Sequence, residues 1–332
     1  MSLTEKELSY YARQLRLEGF GPEAQLMLKR SKVLVVGVGG LGCPALQYLC
    51  AAGVGTLGFI DFDSVQESNL HRQILFGVGE LGLPKVEAAL RQLSNSNPYV
   101  RLLPFEERLS PQNAAEIIGE FDLVIDGSDN FATRFLVNDS CVVLAKPFVA
   151  ASIAGFEGQI SVYNCLQPDG SRGPTYRCLF PEPPPPGAVP SCAEAGVLGI
   201  LPGILGIIQA NEAIKVLTRI GEPLAGKLLV INALDLSTRM VRFSRNEEAI
   251  KQTAIQEDYP DERFHIGGEF IPMDQIGAKA DLIPRDRMVV VYCHSGQRSA
   301  YIVHELQVQL GFENLFNLQG GVQSWRLEEI ST

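Results

Sequence analysis

The sequence predicts an α/β fold: a doubly wound, mainly parallel sheet with an antiparallel extension, followed by a second, small α/β domain. Three observations carry this. From Lys32 to about Val149, short apolar runs alternate with helix-like segments, the pattern of consecutive βαβ units. The first run, Val33-Leu34-Val35-Val36, passes directly into Gly37-Val38-Gly39-Gly40-Leu41-Gly42 and then into a helix-like segment. Near the C-terminus a separate apolar run, Val289-Val290-Val291-Tyr292, leads through a loop into an amphipathic helix and a further apolar run.

Taken in order, residues 4–30 read as helical, with Tyr10, Tyr11, Leu15 and Leu17 on apolar positions around Arg13. Strands are expected at 32–37, 57–62, 99–104, 122–127 and 147–151, and antiparallel strands at 155–165 and 227–244. Between these last two lies an irregular crossing with Pro181-Glu182-Pro183-Pro184-Pro185-Pro186-Gly187, a run that excludes helix and central strand. It ends near Cys192. The segment 203–219 reads as one helix, because Ile204, Leu205, Ile207, Ile208, Ala213, Ile214 and Leu217 bury a broad face. A polar stretch places a linker at 246–254, between a first domain at 1–245 and a second at 255–332. In the second domain the reading is strand 289–292, loop 293–299, helix 299–310, strand 315–318, and a last helix opened by Gly320-Gly321 and containing Trp325.

Composition narrows the function. A chain of 332 residues with 46% hydrophobic and 20% charged residues is an ordinary soluble globular protein with room for two domains. Its net charge of −10 argues against nucleic acid as a main partner, since phosphate backbones need a basic face. Met1-Ser2-Leu3-Thr4-Glu5-Lys6-Glu7 is polar and unlike a signal peptide, and Ala195 to Asn211 is too short and too broken by glycine to span a bilayer comfortably. A cytoplasmic protein without membrane partners is expected. Seven cysteines, an odd number without a secretory signal, point to free thiols. No Cys-x-x-Cys pair occurs, so no zinc site of four thiolates is expected.

The stretch from Val33 to Lys85 says most about chemistry. Glycines at 37, 39, 40 and 42 let the backbone approach phosphate, and the following helix offers unpaired N–H groups to it. Asp61 lies 24 residues after Gly37 (61 − 37), close to where such units place a carboxylate that grips a ribose hydroxyl. Asp63, Asn69, Arg72, Gln73 and Lys85 follow, and the two cations suit a phosphate chain better than hydride transfer. Asp129, in a Ser-Asp-Asn turn at a strand end, suits an Asx turn or a Mg²⁺ ligand that shares the ion with substrate phosphates.

These residues together resemble a known family. Tyr11-Ala12-Arg13-Gln14, the loop Gly37 to Gly42, Asp61-Phe62-Asp63, Ser68-Asn69-Leu70-x-Arg72-Gln73, Lys85 and Asp126-x-x-Asp129-Asn130 look like the MoeB/ThiF adenylyltransferases, relatives of ubiquitin-activating enzymes. Gly155-x-x-Gly158-Gln159, Pro174 to Leu179 and Ser191 to Val197 extend the match over roughly residues 5–245. The resemblance implies a Rossmann-like domain that uses ATP and Mg²⁺ to activate the C-terminal Gly-Gly carboxylate of a ubiquitin-like sulfur-carrier protein. It implies that Asp61 holds the ribose, Arg72 and Lys85 neutralise phosphates, Asn69 and Gln73 line the site, and Asp129 holds Mg²⁺. Arg13 would reach the ATP of a second subunit in a homodimer, and Cys192 matches a thiol able to link to the carrier.

Cys293, after an apolar strand and before a helix, sits in a loop with Gly296 and Arg298 that suits an anionic sulfur. The pattern Cys-x-x-Gly-x-Arg-Ser resembles the active loop of rhodanese modules, and Asn317-Leu318-x-Gly320-Gly321-Val322-x-x-Trp325 resembles their C-terminal end. That implies a persulfide on Cys293, loaded by a cysteine desulfurase or thiosulfate, and sulfur transfer to the activated carrier as a thiocarboxylate. Two departures stand out. The family's zinc-binding pairs are reduced to Cys178, and the module from about Ile255 is short, with Gln256-Glu257-Asp258-Tyr259-Pro260 where Asp-x-Arg is usual. Alternatives from the same residues are an adenylyltransferase whose second domain only docks, a nicotinamide oxidoreductase, and a non-catalytic partner of a ubiquitin-like protein.

Overall fold

The computed structural model describes residues 2–184, 196–251, 253–256, 259, 271, 276–277, 279–293 and 296–322. Among them an eight-stranded sheet organises the first part of the chain. Its strands are β1 (Lys32–Val36), β2 (Thr56–Ile60), β3 (Arg101–Phe105), β4 (Leu123–Asp126), β5 (Phe148–Ala154), β6 (Glu157–Tyr163), β7 (Lys227–Asn232) and β8 (Thr238–Arg242), in the order β3-β2-β1-β4-β5-β6-β7-β8. Pairings among β1 to β5 are parallel, and β5 to β8 are antiparallel neighbours. The doubly wound reading therefore holds, as does its antiparallel extension. The expected strand 227–244 is two strands, because Ala233 to Ser237 turn the chain back on itself.

Side chains on the parallel strands alternate between two cores, as a period of two requires. Val33 and Val35 of β1 join one core, with Leu57, Phe59, Leu123, Ile125 and Val149. Leu34 and Val36 join the other, with Ile60, Val124, Phe148 and Ala150. Both faces are covered, which is why these strands read as continuous apolar runs. The helices are α1 (Glu5–Tyr10), α2 (Ala12–Leu15), α3 (Gly21–Arg30), α4 (Gly42–Ala52), α5 (Lys85–Ser96), α6 (Ala114–Gly119), α7 (Phe131–Val143), α8 (Tyr176–Leu179), α9 (Ile200–Thr218) and α10 (Glu247–Lys251).

Several expectations need correction. Residues 4–30 form three helices, broken at Tyr11 and over 16–20, and Tyr10 and Leu17 are exposed while Tyr11 is buried against Gly53. Tyr11 earns that position by accepting a hydrogen bond from Asn97 Nδ2 at 2.9 Å. The helix expected at 203–219 starts at Ile200, with Pro202 in its first turn where no N–H is missed. By length and composition α9 could cross a membrane. Here it packs on α4, β5 and β6, and two of its buried polar residues bind neighbouring backbone: Gln209 Nε2 donates to Asp126 O at 2.7 Å, and Glu212 Oε2 accepts from Leu224 N at 2.8 Å.

The stretch read as linker holds the short α10, and beyond it Ile255 and Tyr259 join the core of the first unit. Tyr259 donates to Asp139 Oδ2 at 2.7 Å, and Arg177 pairs with both oxygens of the same carboxylate at 2.7 Å each. The chain divides into two compact units between Tyr259 and Pro260. In the second, β9 (Val289–Val291) and β10 (Leu315–Asn317) pair in parallel on either side of α11 (Gln297–Leu310). Ile302, Val303 and Leu306 of that helix pack with Phe312 and Leu315, while Val290 is exposed, so β9 is less buried than its sequence suggests. The helix expected to contain Trp325 lies outside the described residues.

Candidate active site

The sheet order reverses between β1 and β4, since β2 and β3 lie on one side of β1 and β4 to β8 on the other. At such a switch point the loops leaving neighbouring strands diverge and open a crevice at the carboxyl edge. The loop after β1 is the glycine loop. Gly37 has φ +88°, open to glycine and costly for other residues. A Cβ on Gly42 would overlap the carbonyl oxygen of Gly37, so the loop closes on itself only without side chains. Gly40 faces Pro202 of α9, and Gly39 faces Gln73.

Asp61 follows β2 and folds back on this loop. Its Oδ2 accepts from Val38 N at 2.8 Å and its Oδ1 from Asp63 N at 2.9 Å. Each oxygen keeps a lone pair for a further donor, as a ribose hydroxyl would supply. Lys85 opens α5, and its Nζ lies 3.0 Å from Asp63 Oδ2 and 4.0 Å from Asp61 Oδ1. Burial raises the Asp61 carboxyl above its ordinary value, while Lys85 and the two N–H groups pull it back. Lys85 and Asp61 are nearly enclosed and Asp63 is half exposed. Such an ammonium group, with one open side, is placed to meet a phosphate.

Asn69 and Gln73 are both buried, and Gln73 Nε2 lies 3.9 Å from where a Gly39 Cβ would stand. Gln73 Oε1 is a buried acceptor without a hydrogen bond, which a ligand donor would satisfy. Arg72 is half-buried, with Nη1 2.9 Å from Ser68 O and 2.7 Å from His71 Nε2. Asp129 is exposed after β4, while Asn130 caps α7 by accepting from Thr133 N at 2.8 Å. The glycine cradle, the paired carboxylate and the orphaned amide fit a nucleotide, and an exposed carboxylate at the strand edge fits a divalent cation. Arg13 lies exposed on α2. Cys192 falls outside the described residues.

The other cysteines sort by environment, and none of the six described forms a disulfide. Burial pushes Cys43 up to about 12 and Cys50 to about 11, and raises Cys141 and Cys165 as well, which leaves them inert. Cys178 Sγ takes N–H groups from Thr175 at 3.3 Å and Asn246 at 3.2 Å, tying α8 to the segment before α10. In the second unit Cys293 follows β9, and Ser299 offers its Sγ both a backbone N–H at 3.4 Å and a hydroxyl at 3.3 Å. Ser299 sits in the first turn of α11, behind Gly296 at φ +79°. Donors there favour an anionic sulfur. Arg298, next to it, is exposed.

Comparison with known proteins decides the family. Residues 11–251 match the ThiF family, and residues 259–328 match the rhodanese-like domain. The chain belongs to the ThiF family. It is 53% identical to a sulfur carrier protein adenylyltransferase of Thermus thermophilus, over 74% of this chain and 91% of that one. It is 40% identical to the probable adenylyltransferase/sulfurtransferase MoeZ of Mycobacterium tuberculosis, over 98% of this chain and 94% of that one. Among solved structures, E. coli MccB shares the fold at a TM-score of 0.63 and 20% identity, over 74% of this chain and 72% of that one.

Two further side-chain pairs of this ThiF-family unit lie at the carboxyl ends of β4 and β2. Asp126, which opens the Asp126-x-x-Asp129-Asn130 pattern, is fully buried and pairs with Arg134 Nε at 3.0 Å. Arg134 also donates to Ala151 O at 2.7 Å, so the pair braces the end of β4 against the middle of β5. Arg108, which no motif contains, stacks 4.6 Å above the ring of Phe62 between the two site aspartates. Only the place of Phe62 in Asp-x-Asp could have drawn attention to it.

Proposed function

We propose that this chain uses ATP and Mg²⁺ to adenylylate the C-terminal Gly-Gly carboxylate of a ubiquitin-like sulfur-carrier protein, and then delivers sulfur to it from a persulfide on Cys293. The observation that carries the first step is the Asp61–Lys85–Asp63 cluster set against the glycine loop at the switch point. The carrier carboxylate attacks the α-phosphorus in line and pyrophosphate leaves. Asp61 holds the ribose, while Lys85 and Arg72 meet the charge that spreads over the phosphates in the transition state. Asn69 and Gln73 line the pocket, and Asp129 supplies the carboxylate for Mg²⁺.

Support for the second step comes from the Cys293 loop, where Ser299 and the start of α11 direct donors at the sulfur. The terminal persulfide sulfur attacks the acyl carbon and AMP leaves, giving an acyl disulfide between the carrier and Cys293. The thiolate of Cys192 attacks the Cys293 sulfur, expels the carrier thiocarboxylate and leaves a disulfide, which a dithiol reductant reopens. A cysteine desulfurase or thiosulfate reloads Cys293. The reading includes a cytoplasmic homodimer in which Arg13 completes the nucleotide site of the partner subunit. ATP–pyrophosphate exchange tests the first step: it should appear with a carrier ending in Gly-Gly and vanish when the last glycine is removed. Exchange indifferent to that glycine would reject carrier activation.

A further inference from the structure

The chain enters α9 directly against the loop that carries Arg72, and it does so backbone against backbone. Gly199, just before α9, has φ −56° and ψ −23°, a conformation open to any residue. Its lack of a side chain therefore answers to space, not to backbone geometry. A Cβ there would overlap the carbonyl oxygen of His71 and lie 3.2 Å from Arg72 Cβ. The same stretch touches the phosphate loop twice more. Pro202 stands 3.1 Å from where a Gly40 Cβ would be, and a Cβ on Gly206 would overlap Leu41 O. Gly203, one turn along the same helix, has open space around it.

Among the described residues the guanidinium of Arg72 is bonded within its own loop, to Ser68 O and the His71 ring. Whatever moves the His71–Arg72 backbone moves that cation. We infer that Gly199 is a positioning residue for Arg72: by direct contact with the His71 carbonyl, the residue that leads into α9 sets where the phosphate-binding guanidinium stands. Nucleotide binding and the placement of that residue are then linked through one contact, since a shift of either is felt by the other. This rests on Arg72 being a phosphate ligand, as proposed above.

Gly199→Ala adds one methyl group at the contact, and Gly203→Ala adds one in open space on the same helix. Equilibrium ATP affinity remains measurable even when turnover is lost, and it is read for both variants, for Arg72→Ala, and for the G199A/R72A double variant. G199A should weaken ATP binding by about tenfold, the scale of a small misplacement of a binding group, and G203A should match wild type. Gly199→Ser carries the same Cβ and should match G199A. In the R72A background G199A should change nothing further, because its effect runs through that arginine. Wild-type affinity in G199A would overturn the inference, as would an equal loss in both backgrounds, the mark of a general packing defect. If R72A itself binds ATP like wild type, the assignment of Arg72 falls, and this inference with it. That outcome is told apart from the others by the single variant alone.

Discussion

At Lys85 one ammonium group faces two carboxylates, and replacing it with methionine leaves Asp61 buried without its counter-charge. The Asp61 carboxyl, already above its ordinary 3.8 by burial, then rises further. A carboxyl whose folded-state pKa exceeds its unfolded one gives its stability at low pH and loses it as pH rises through the folded value. Lys85→Met should therefore cost little near about pH 4 and ~3 kcal/mol at about pH 7, as read by urea unfolding at the two pH values. ATP–pyrophosphate exchange should fall roughly 100-fold or more in the same variant. Gly42→Ala should abolish ATP binding while leaving the second unit folded, because its Cβ overlaps the Gly37 carbonyl. The glycine loop and Asp61 were legible in the sequence because their spacing is local to one βαβ unit. The pairing of Lys85 with both aspartates was not, since it depends on how α5 meets the carboxyl end of β2. The pairing of Asp126 with Arg134 was hidden for a different reason: a strand-end aspartate looks alike in sequence whether it is exposed or, as here, faces a buried arginine.

At the level of elements, Asp139 of α7 gathers two distant parts of the first unit. Arg177 of α8 grips both its oxygens, Tyr259 adds its hydroxyl, and Arg177 also donates to Pro181 O at 2.9 Å. The carboxylate is fully buried, so its partners are worth more than surface contacts. Tyr259→Phe should lower stability by about 1.5–2 kcal/mol, the value of a hydrogen bond to a charged group. Asp139→Ala, which strands Arg177, should cost ~3–5 kcal/mol. Denaturant midpoints for the two variants check both figures. The sequence placed Tyr259 with the second domain, because a polar stretch before it read as a linker. A contact 120 residues apart in the chain cannot be seen in composition. Cys178 is a parallel case: it read as the remnant of a metal site, and the fold holds it instead by N–H groups from Thr175 and Asn246.

On the scale of the whole molecule, a ThiF-family unit and a rhodanese-like unit share one chain, and the account assigns them successive steps on one carrier. If Arg13 completes a site in the partner subunit, Arg13→Ala and Lys85→Met should each be inactive alone. Mixed and allowed to exchange subunits, they should regain exchange activity, because one site of the mixed dimer is then intact. The central claim is that sulfur reaches the adenylylated carrier through Cys293. Its most direct test is the intact mass of the carrier after incubation with ATP, Mg²⁺, a sulfur donor and a dithiol, using wild type beside Cys293→Ala. The account predicts that oxygen is exchanged for sulfur at the carrier terminus only with wild type, while both proteins support equal ATP–pyrophosphate exchange. Equal thiocarboxylate formation by the Cys293→Ala protein would contradict it and leave the second unit without a part in the chemistry.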